Sequence, residues 1–571
     1  MGNCVFHRLA SLRLNAVQLT WLAAAFFTTI GNFVLWTTLN AVVERNSLNS
    51  SLFYLSLPVF IFCLLNLMFT PVMALPYVRK PLLALALVIS GACTYFMYHY
   101  QVLIDRGMVQ NFFETNQAEL TSYFSIPLLL SIVLLGVVPA AVVLTLRTKP
   151  FGGPLNTLLW WLGNVLVSLA VLAVISMTFY KDYASLIRNN RYIMSQVLPV
   201  NFIRSTESYF KRQYAAKTRT FEAVGEDAWR PAPAPGQRPK LLVVVVGETA
   251  RAQNFQLNGY ARATNPYLSA RDDIISFQQV SSCGTATAVS LPCMFSRMPR
   301  AQFNEVTAAT EENLLDILQR TGVSILWRNN NNGGCKGVCD RVATDDMPKL
   351  RIEAQCSNKD GTCYDDVLLS QLENRIDAMP GDGLIVLHQL GSHGPTYFER
   401  YPAQDKVFLP TCDSNQIQQC SNEALTNTYD NTLLYTDRML SQTIDLLQNY
   451  AGQRDVAMVY ISDHGESLGE RGMYLHGTPY LLAPQQQTQV PLVMWLPEAF
   501  AQSTNLDLGC LRSNAADKKY SQDNFYHSLL GLFDVQTSVY QEPLDLFAEC
   551  RSPRSMAASE AGTDDASGAA S

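Results

Sequence analysis

Charge is thin in this chain. Asp, Glu, Lys and Arg make up 16% of its 571 residues, where average usage is about a quarter. Histidine occurs seven times, and the net charge at neutral pH is only −6 with no basic stripe. That leaves no electrostatic footprint for a nucleic acid. Cysteine is nearly missing from the first half: Cys4, Cys63 and Cys93 precede a gap that ends at Cys283. No segment repeats, which excludes solenoids and other arrays. The shortages are not uniform. They are the average of two unlike halves, and the 48% apolar content is concentrated in the first.

Up to about Tyr180 the chain contains five apolar runs, near 16–39, 52–75, 81–103, 123–146 and 156–180. Each is long enough for a membrane-spanning helix, which needs roughly 20 residues. A secretory leader would be one short run. Short basic stretches come before the first run, after the second and after the fourth: Arg8 and Arg13, then Arg79 and Lys80, then Arg147 and Lys149. The positive-inside rule puts these in the cytoplasm and, with five spans, everything after Tyr180 outside. Four spans and a buried helix would reverse the second half.

The cysteines bear on that choice independently. Ten lie after residue 280, mostly as close neighbours: Cys283 and Cys293, Cys335 and Cys339, Cys356 and Cys363, Cys412 and Cys420, with Cys510 and Cys550 left over. Short-range pairs suit an oxidising compartment. Zinc clusters are the other reading, although the spacings do not gather into sets of four.

The expected organisation is a five-helix transmembrane domain over 1–180, a linker over 181–240, a catalytic domain over 241–550 and a disordered tail over 551–571. In the linker, "YASLIRNNRYIMSQVLP" could lie on the membrane with Ile187, Tyr192, Ile193 and Val197 on its apolar side. The "RPAPAPGQRPK" that follows reads as a semi-rigid spacer. The tail lacks apolar periodicity.

In the second half, "KLLVVVVGE", "VSILWR", "DGLIVLHQL", "DVAMVYISDHGE" and "VPLVMWLP" are too continuously apolar for half-exposed strands. They alternate with helical patterns such as "NTLLYTDRMLSQTIDLLQNY". The expected fold is an α/β domain with a mainly parallel sheet covered on both faces. Such sheets bind ligands beyond the carboxyl ends of their strands. There the sequence places Glu248, then His388 and His393, then Asp463 and His464, with His476 a little beyond. A lone acidic residue after a strand is ordinarily a helix cap. Three strands ending in carboxylate or imidazole suggest instead oxygen and nitrogen ligands for zinc or manganese. His527 sits at an ordinary helix position.

The strings "VVVVGETAR", "SSCGTATAVSLPCMFSR", "GSHGPTY" and "YISDHGESLGE" resemble the phosphoethanolamine transferases that modify lipid A, the family that includes the mobile colistin-resistance enzymes. The resemblance spans essentially the whole chain; "DHGE" alone would mark only the alkaline phosphatase superfamily, with its α/β sandwich. By resemblance the zinc ligands are Glu248, Thr287, Asp463 and His464, and the nucleophile is Thr287, a choice over Thr285 that composition does not make. Direct coordination suits a hydroxyl nucleophile, which is weak at neutral pH. The resemblance implies one zinc there and leaves room for a second near His393 and His476, which otherwise contact substrate phosphate. It makes Lys336 a phosphate-balancing lysine, although here Cys335 and Cys339 bracket it, unlike the mobile resistance enzymes. Asn111, Thr115 and Glu119 share one helical face, a pattern that also suits a solvated helix. The resemblance makes that face the lipid-headgroup site, with Glu119 at the ammonium.

The implied reaction takes phosphoethanolamine from phosphatidylethanolamine onto Thr287 and then onto a lipid A phosphate, conferring polymyxin resistance. The implied location is the inner membrane of a Gram-negative bacterium, with the catalytic domain in the periplasm and a monomer as the expected unit. Lipopolysaccharide core sugars or periplasmic glucans would serve equally as acceptors on this reading. The other reaction classes are a membrane-anchored hydrolase, a glycerol-phosphate transferase and a non-catalytic lipid binder.

Overall fold

The computed structural model describes residues 13–43, 45–114, 123–350, 356 and 362–552. Five of its helices or helix pairs are long and apolar enough to cross a membrane. The first span joins α1 (Ala16–Thr28) to α2 (Phe33–Val42). Asn15 caps its start, with Gln18 completing a capping box, so the entering chain satisfies its own free N–H groups. Next come α3 (Leu48–Met73) and α4 (Arg79–His99). A short helix α5 (Arg106–Glu114) precedes the fourth span, made of α6 (Ile126–Ser131), a π turn and α7 (Val138–Thr145). The fifth is α8 (Pro154–Thr178).

Small and polar residues hold the bundle together, as apolar helices in lipid require. A side-chain carbon at Gly136 would come within 2.8 Å of the Val88 backbone, so α4 and the fourth span meet main chain to main chain. Asn66 donates to Asn164 and Ser168 at 2.9 and 2.8 Å, while the Trp21 indole reaches Asn164.

After α8 the chain forms α9 (Tyr180–Asn189), a 3-10 turn and then α10 (Val200–Thr218). The surface segment expected from sequence is therefore followed by a further helix. Its 19 residues contain neither proline nor glycine, but its apolar positions are diluted by charge. Of the expected apolar face, Ile193 is buried while Ile187 is exposed.

The second half is built on one seven-stranded sheet. Its strands are β1 (Lys240–Gly247), β2 (Ile274–Phe277), β3 (Ser324–Asn329), β4 (Ala343–Asp346), β5 (Gly383–His388), β6 (Asp455–Ser462) and β7 (Leu492–Trp495), in the order β2-β7-β6-β1-β5-β3-β4. From β6 through β1, β5 and β3 to β4 the pairing is parallel, and β7 runs antiparallel to both neighbours. Every residue of β1, β5 and β6 is buried. Their alternating side chains feed two cores: Leu242, Val244 and Val246 on one face, Leu241, Val243 and Val245 on the other. Helix α11 (Thr287–Met294) covers the first face, and α12 (Asn422–Gln448), the longest helix of this half, covers the second. Two-faced burial explains why these strands read as unbroken apolar runs.

Five disulfides join Cys283 to Cys293, Cys335 to Cys339, Cys356 to Cys363, Cys412 to Cys420 and Cys510 to Cys550. The loop between the third and fourth spans packs on this half. The Tyr100 hydroxyl bonds the Asn415 carbonyl, the Asn415 amide bonds the Phe124 carbonyl, and Tyr474 N–H donates to the Tyr100 carbonyl.

Candidate active site

Glu248 follows directly on strand β1, and Asp463 and His464 on its parallel neighbour β6, so the sheet register brings them together. All three are buried, and their ligand atoms lie within 4.8 Å of one another. The chain turns sharply after β1: Thr249 has a φ of +53°, unusual for a branched residue. That turn lets Thr249 N–H donate to Asp463 Oδ1 at 3.2 Å, while the Tyr429 hydroxyl from α12 holds its carbonyl. His464 N–H also reaches Asp463 Oδ1, at 2.7 Å.

Helix α11 opens at Thr287, with Ala286 as its cap residue. Thr287 Oγ1 donates to Glu248 Oε2 at 3.0 Å and lies 3.3 Å from His464 Nε2. Thr285 faces elsewhere: its hydroxyl donates to the Thr478 carbonyl. Of the two threonines, it is the Thr287 hydroxyl that faces the buried carboxylates.

Two carboxylate oxygens, Glu248 Oε1 and Asp463 Oδ2, are buried without a hydrogen-bond partner. They stand 3.5 and 3.3 Å from His464 Nε2. Burial, then the nearby Asp463 charge, pushes Glu248 well above the ordinary carboxylate range, and burial raises Asp463 likewise. His464 Nδ1 is 2.9 Å from the Gly465 carbonyl, which can only accept. The proton therefore sits on Nδ1, and the Nε2 lone pair faces the space it shares with the two bare carboxylate oxygens. Burial and the nearby His476 hold His464 well below its ordinary pKa, hence neutral. Two bare oxygens, an imidazole lone pair and a hydroxyl oxygen converge on one point. That donor set fits a divalent cation. The two other metal-like clusters among the described residues each contain a cysteine pair already joined as a disulfide.

A narrow cleft of about 30 Å³ opens on Thr287, lined also by Asn111, Glu114, Asn331, Lys336, His393 and His476. The rings of His393 and His476 lie 5.5 Å apart, and His476 is 4.4 Å from His464. Burial and the His476 charge lower the His393 pKa well below the usual value. Thr115 and Glu119 lie outside the described residues. His388 is not in the cleft: it is fully buried, with Nδ1 3.0 Å from Asn329 Oδ1 and its ring edge-on to Trp327. His527 accepts from Gln541 N–H at 3.1 Å, away from the site.

A family model described as phosphoethanolamine transferase EptA/EptB matches residues 61–214, and a sulfatase model matches 240–535. The chain is 43% identical over 539 residues to phosphoethanolamine transferase EptA of Escherichia coli strain K12, covering 94% of this chain and 97% of that protein. It belongs to the phosphoethanolamine transferase family. The phosphatidylethanolamine transferase Mcr-1 of Escherichia coli is 38% identical, over 85% of this chain and 88% of its own. The solved integral membrane lipooligosaccharide phosphoethanolamine transferase A of Neisseria meningitidis superimposes with a TM-score of 0.90 at 38% identity, covering 95% of this chain and all of that one. The expected family, the multi-span architecture and the mainly parallel sandwich of the alkaline phosphatase type all hold.

Four side chains around this transferase's site escaped sequence reasoning. Asn331 donates to Glu248 Oε2 at 2.7 Å and to the Gln389 carbonyl, but it stands in a run of asparagines whose register the sequence leaves open. Glu466, fully buried, lies 3.3 Å from His476 Nδ1, and its place in "DHGE" was the available signal. Asp365 accepts from Leu390 N–H, Gly391 N–H and Asn330, tying the loops after β3 and β5 together. Glu114, from α5, pairs with Lys336 at 2.8 Å across the two halves. For these last two no signal existed, because only the fold makes them neighbours.

Proposed function

We propose that this transferase moves phosphoethanolamine from phosphatidylethanolamine to a phosphate of lipid A, through a covalent intermediate on Thr287. The observation that carries the reading is the Thr287 hydroxyl, 3.0 Å from Glu248 and 3.3 Å from His464, in a cleft whose wall includes Asn111 and Glu114 of α5. A lipid donor whose headgroup must reach a nucleophile needs both halves of the molecule. A hydrolase of soluble esters needs neither the spans nor that wall. Three relatives support the chemistry: Mcr-1 is a phosphatidylethanolamine transferase, the Neisseria meningitidis protein acts on lipooligosaccharide, and a Kdo(2)-lipid A phosphoethanolamine 7''-transferase of Escherichia coli is 31% identical over 46% of this chain.

Zinc held by Glu248, Asp463 and His464 would supply Lewis acidity at the Thr287 hydroxyl. In the first half-reaction the Thr287 Oγ1–phosphorus bond forms as the phosphorus–oxygen bond to diacylglycerol breaks. The hydroxyl proton, already directed at Glu248, ends on the departing diacylglycerol oxygen, and His393 and His476 are placed to carry it. In the second, an oxygen of a lipid A phosphate attacks phosphorus, Oγ1 leaves and Thr287 regains a proton. Lys336 balances phosphate charge throughout, and α11 turns its amino end to the same point, where negative charge accumulates.

The membrane segment of 1–180 and the linker of 181–240 hold the catalytic domain of 241–550 on the periplasmic face of a Gram-negative inner membrane. One chain supplies every residue of the site. Adding an ammonium to a lipid phosphate lowers the negative surface charge, so polycationic peptides bind less and the cell becomes polymyxin resistant. Intact-protein mass spectrometry after incubation with phosphatidylethanolamine, together with lipid A mass spectrometry from expressing cells, tests both halves. Wild type should carry a phosphoethanolamine adduct and modify lipid A, and Thr287→Ala should do neither. Modified core sugar with unmodified lipid A would overturn the acceptor.

A further inference from the structure

The asparagine run that closes β3 is pinned one residue at a time. Asn329 stands opposite His388 in the parallel pairing of β3 with β5, and Asn330 N–H donates to the His388 carbonyl at 2.9 Å. The Asn330 side chain donates to Asp365 and the Cys363 carbonyl, and that of Asn331 to Glu248 and the Gln389 carbonyl. Asn329 bonds in both directions. Its Nδ2 donates to the Asn331 carbonyl at 2.9 Å, which leaves its Oδ1 to face His388 Nδ1 at 3.0 Å. An amide oxygen only accepts, so the His388 proton sits on Nδ1. Burial, then the Lys336 charge, pushes the His388 pKa down to about 3, and the ring is neutral.

These bonds form one chain that ends on a metal-ligand candidate. From His388 through Asn329 the donors lead to the Asn331 main chain, and Asn331 Nδ2 donates to Glu248 Oε2 at 2.7 Å. Gly333 N–H donates to Asn331 Oδ1 at 2.8 Å, which keeps the amide turned that way. Thr287 donates to the same Oε2, so that oxygen is occupied while Oε1 stays bare. We infer that His388 is a positioning residue for the metal centre: through Asn329 it holds Asn331 on Glu248 Oε2 and so reserves Oε1 for the cation. The inference rests on Glu248 being a metal ligand, as proposed above. A carboxylate has two equivalent oxygens, and its neighbours decide which one meets the ion. This role accounts for an imidazole at the end of a strand whose other residues, Gly383 to Leu387, are all apolar and buried.

The test is zinc titration of the full-length, chelator-stripped protein against a fluorescent competitor, with a melting curve for each variant. His388→Ala and Asn329→Ala should each weaken zinc binding about 10- to 100-fold. The double variant should lose no more than either alone, because both break the same chain. His388→Asn, whose amide can donate from near the Nδ1 position, should recover most of the affinity. Asn329 is only half-buried, so its variant decides the matter if His388→Ala does not fold. Unchanged zinc affinity in Asn329→Ala, even with a lower melting temperature, would reduce the pair to packing and overturn the inference. Additive losses in the double variant would overturn it as well. Wild-type protein that binds no zinc would instead overturn the ligand assignment on which it rests.

Discussion

Replacing Thr287 with Ala removes a hydroxyl that nothing nearby can substitute, since Thr285 is committed to the Thr478 carbonyl. Transfer should fall on the order of a thousandfold or more. Bound zinc, measured by elemental analysis, should persist on the three buried ligands. Loss of metal together with activity would mean that Thr287 is needed to assemble the ligand set. Glu248 and Asp463 lead to a pH prediction. Both carboxyls have folded-state pKa values raised above the unfolded ones, by burial first. Such groups lend stability below the unfolded pKa, near pH 4, and lose it as pH rises through the folded value, about 6 for Asp463. Chelator-treated protein should therefore melt lower at about pH 7.5 than at about pH 5.5, and zinc should raise the melting temperature most at the higher pH. A zinc effect independent of pH would contradict the raised carboxylates. At this scale the ligand types were legible in the sequence, because strand ends announce themselves. The partner atoms were not: Asn331 and Glu466 reach Glu248 and His476 through loops with no periodicity to read.

The loop after β5 is the element on which the position of Glu248 depends most. Gly391 has a φ of +54°, and a side-chain carbon there would stand 2.7 Å from the Glu248 carbonyl and 2.9 Å from its nitrogen. Gly391→Ala combines left-handed strain with a backbone collision, so it should cost more than about 2 kcal/mol and lower zinc affinity at least about tenfold, read by metal titration. The helix that carries Thr287 has a different restraint. The Cys283–Cys293 bridge spans the turn into α11 and its last full turn, with both cysteines buried. Changing both to Ser should lower kcat while the domain still melts cooperatively; loss of fold and activity in one step would count against a positioning role. The continuous apolar strands and the long helix α12 were legible, since burial on both faces leaves an unbroken signature. Helix α10 was not, because its apolar positions serve the first half of the chain and its charged ones the second.

At the scale of the whole molecule, two charged contacts among the described residues join the halves at a cavity of about 510 Å³. One is Glu114 with Lys336; in the other, Arg106 of α5 and Arg212 of α10 share Glu305. Partly exposed pairs of this kind are worth about 1 kcal/mol or less each and weaken with salt. Glu305→Gln should therefore raise the KM for lipid donor by less than about tenfold, with faster hydrogen exchange across 200–218 and 305–310. Unchanged exchange would show that these ion pairs do not hold the halves together. This docking could not be read from sequence, because nothing in a charge pattern says which distant helix it will meet.

The strand order carries a last consequence. Strand β6, which leads into Asp463 and His464, inserts directly beside β1, which leads into Glu248, although paired residues of the two strands are 215 positions apart along the chain. During synthesis and export, then, Glu248 and Thr287 emerge well before their partners exist. A chain without β6 would hold Glu248 and Thr287 but neither Asp463 nor His464, and so would lack two of the three buried candidate metal ligands.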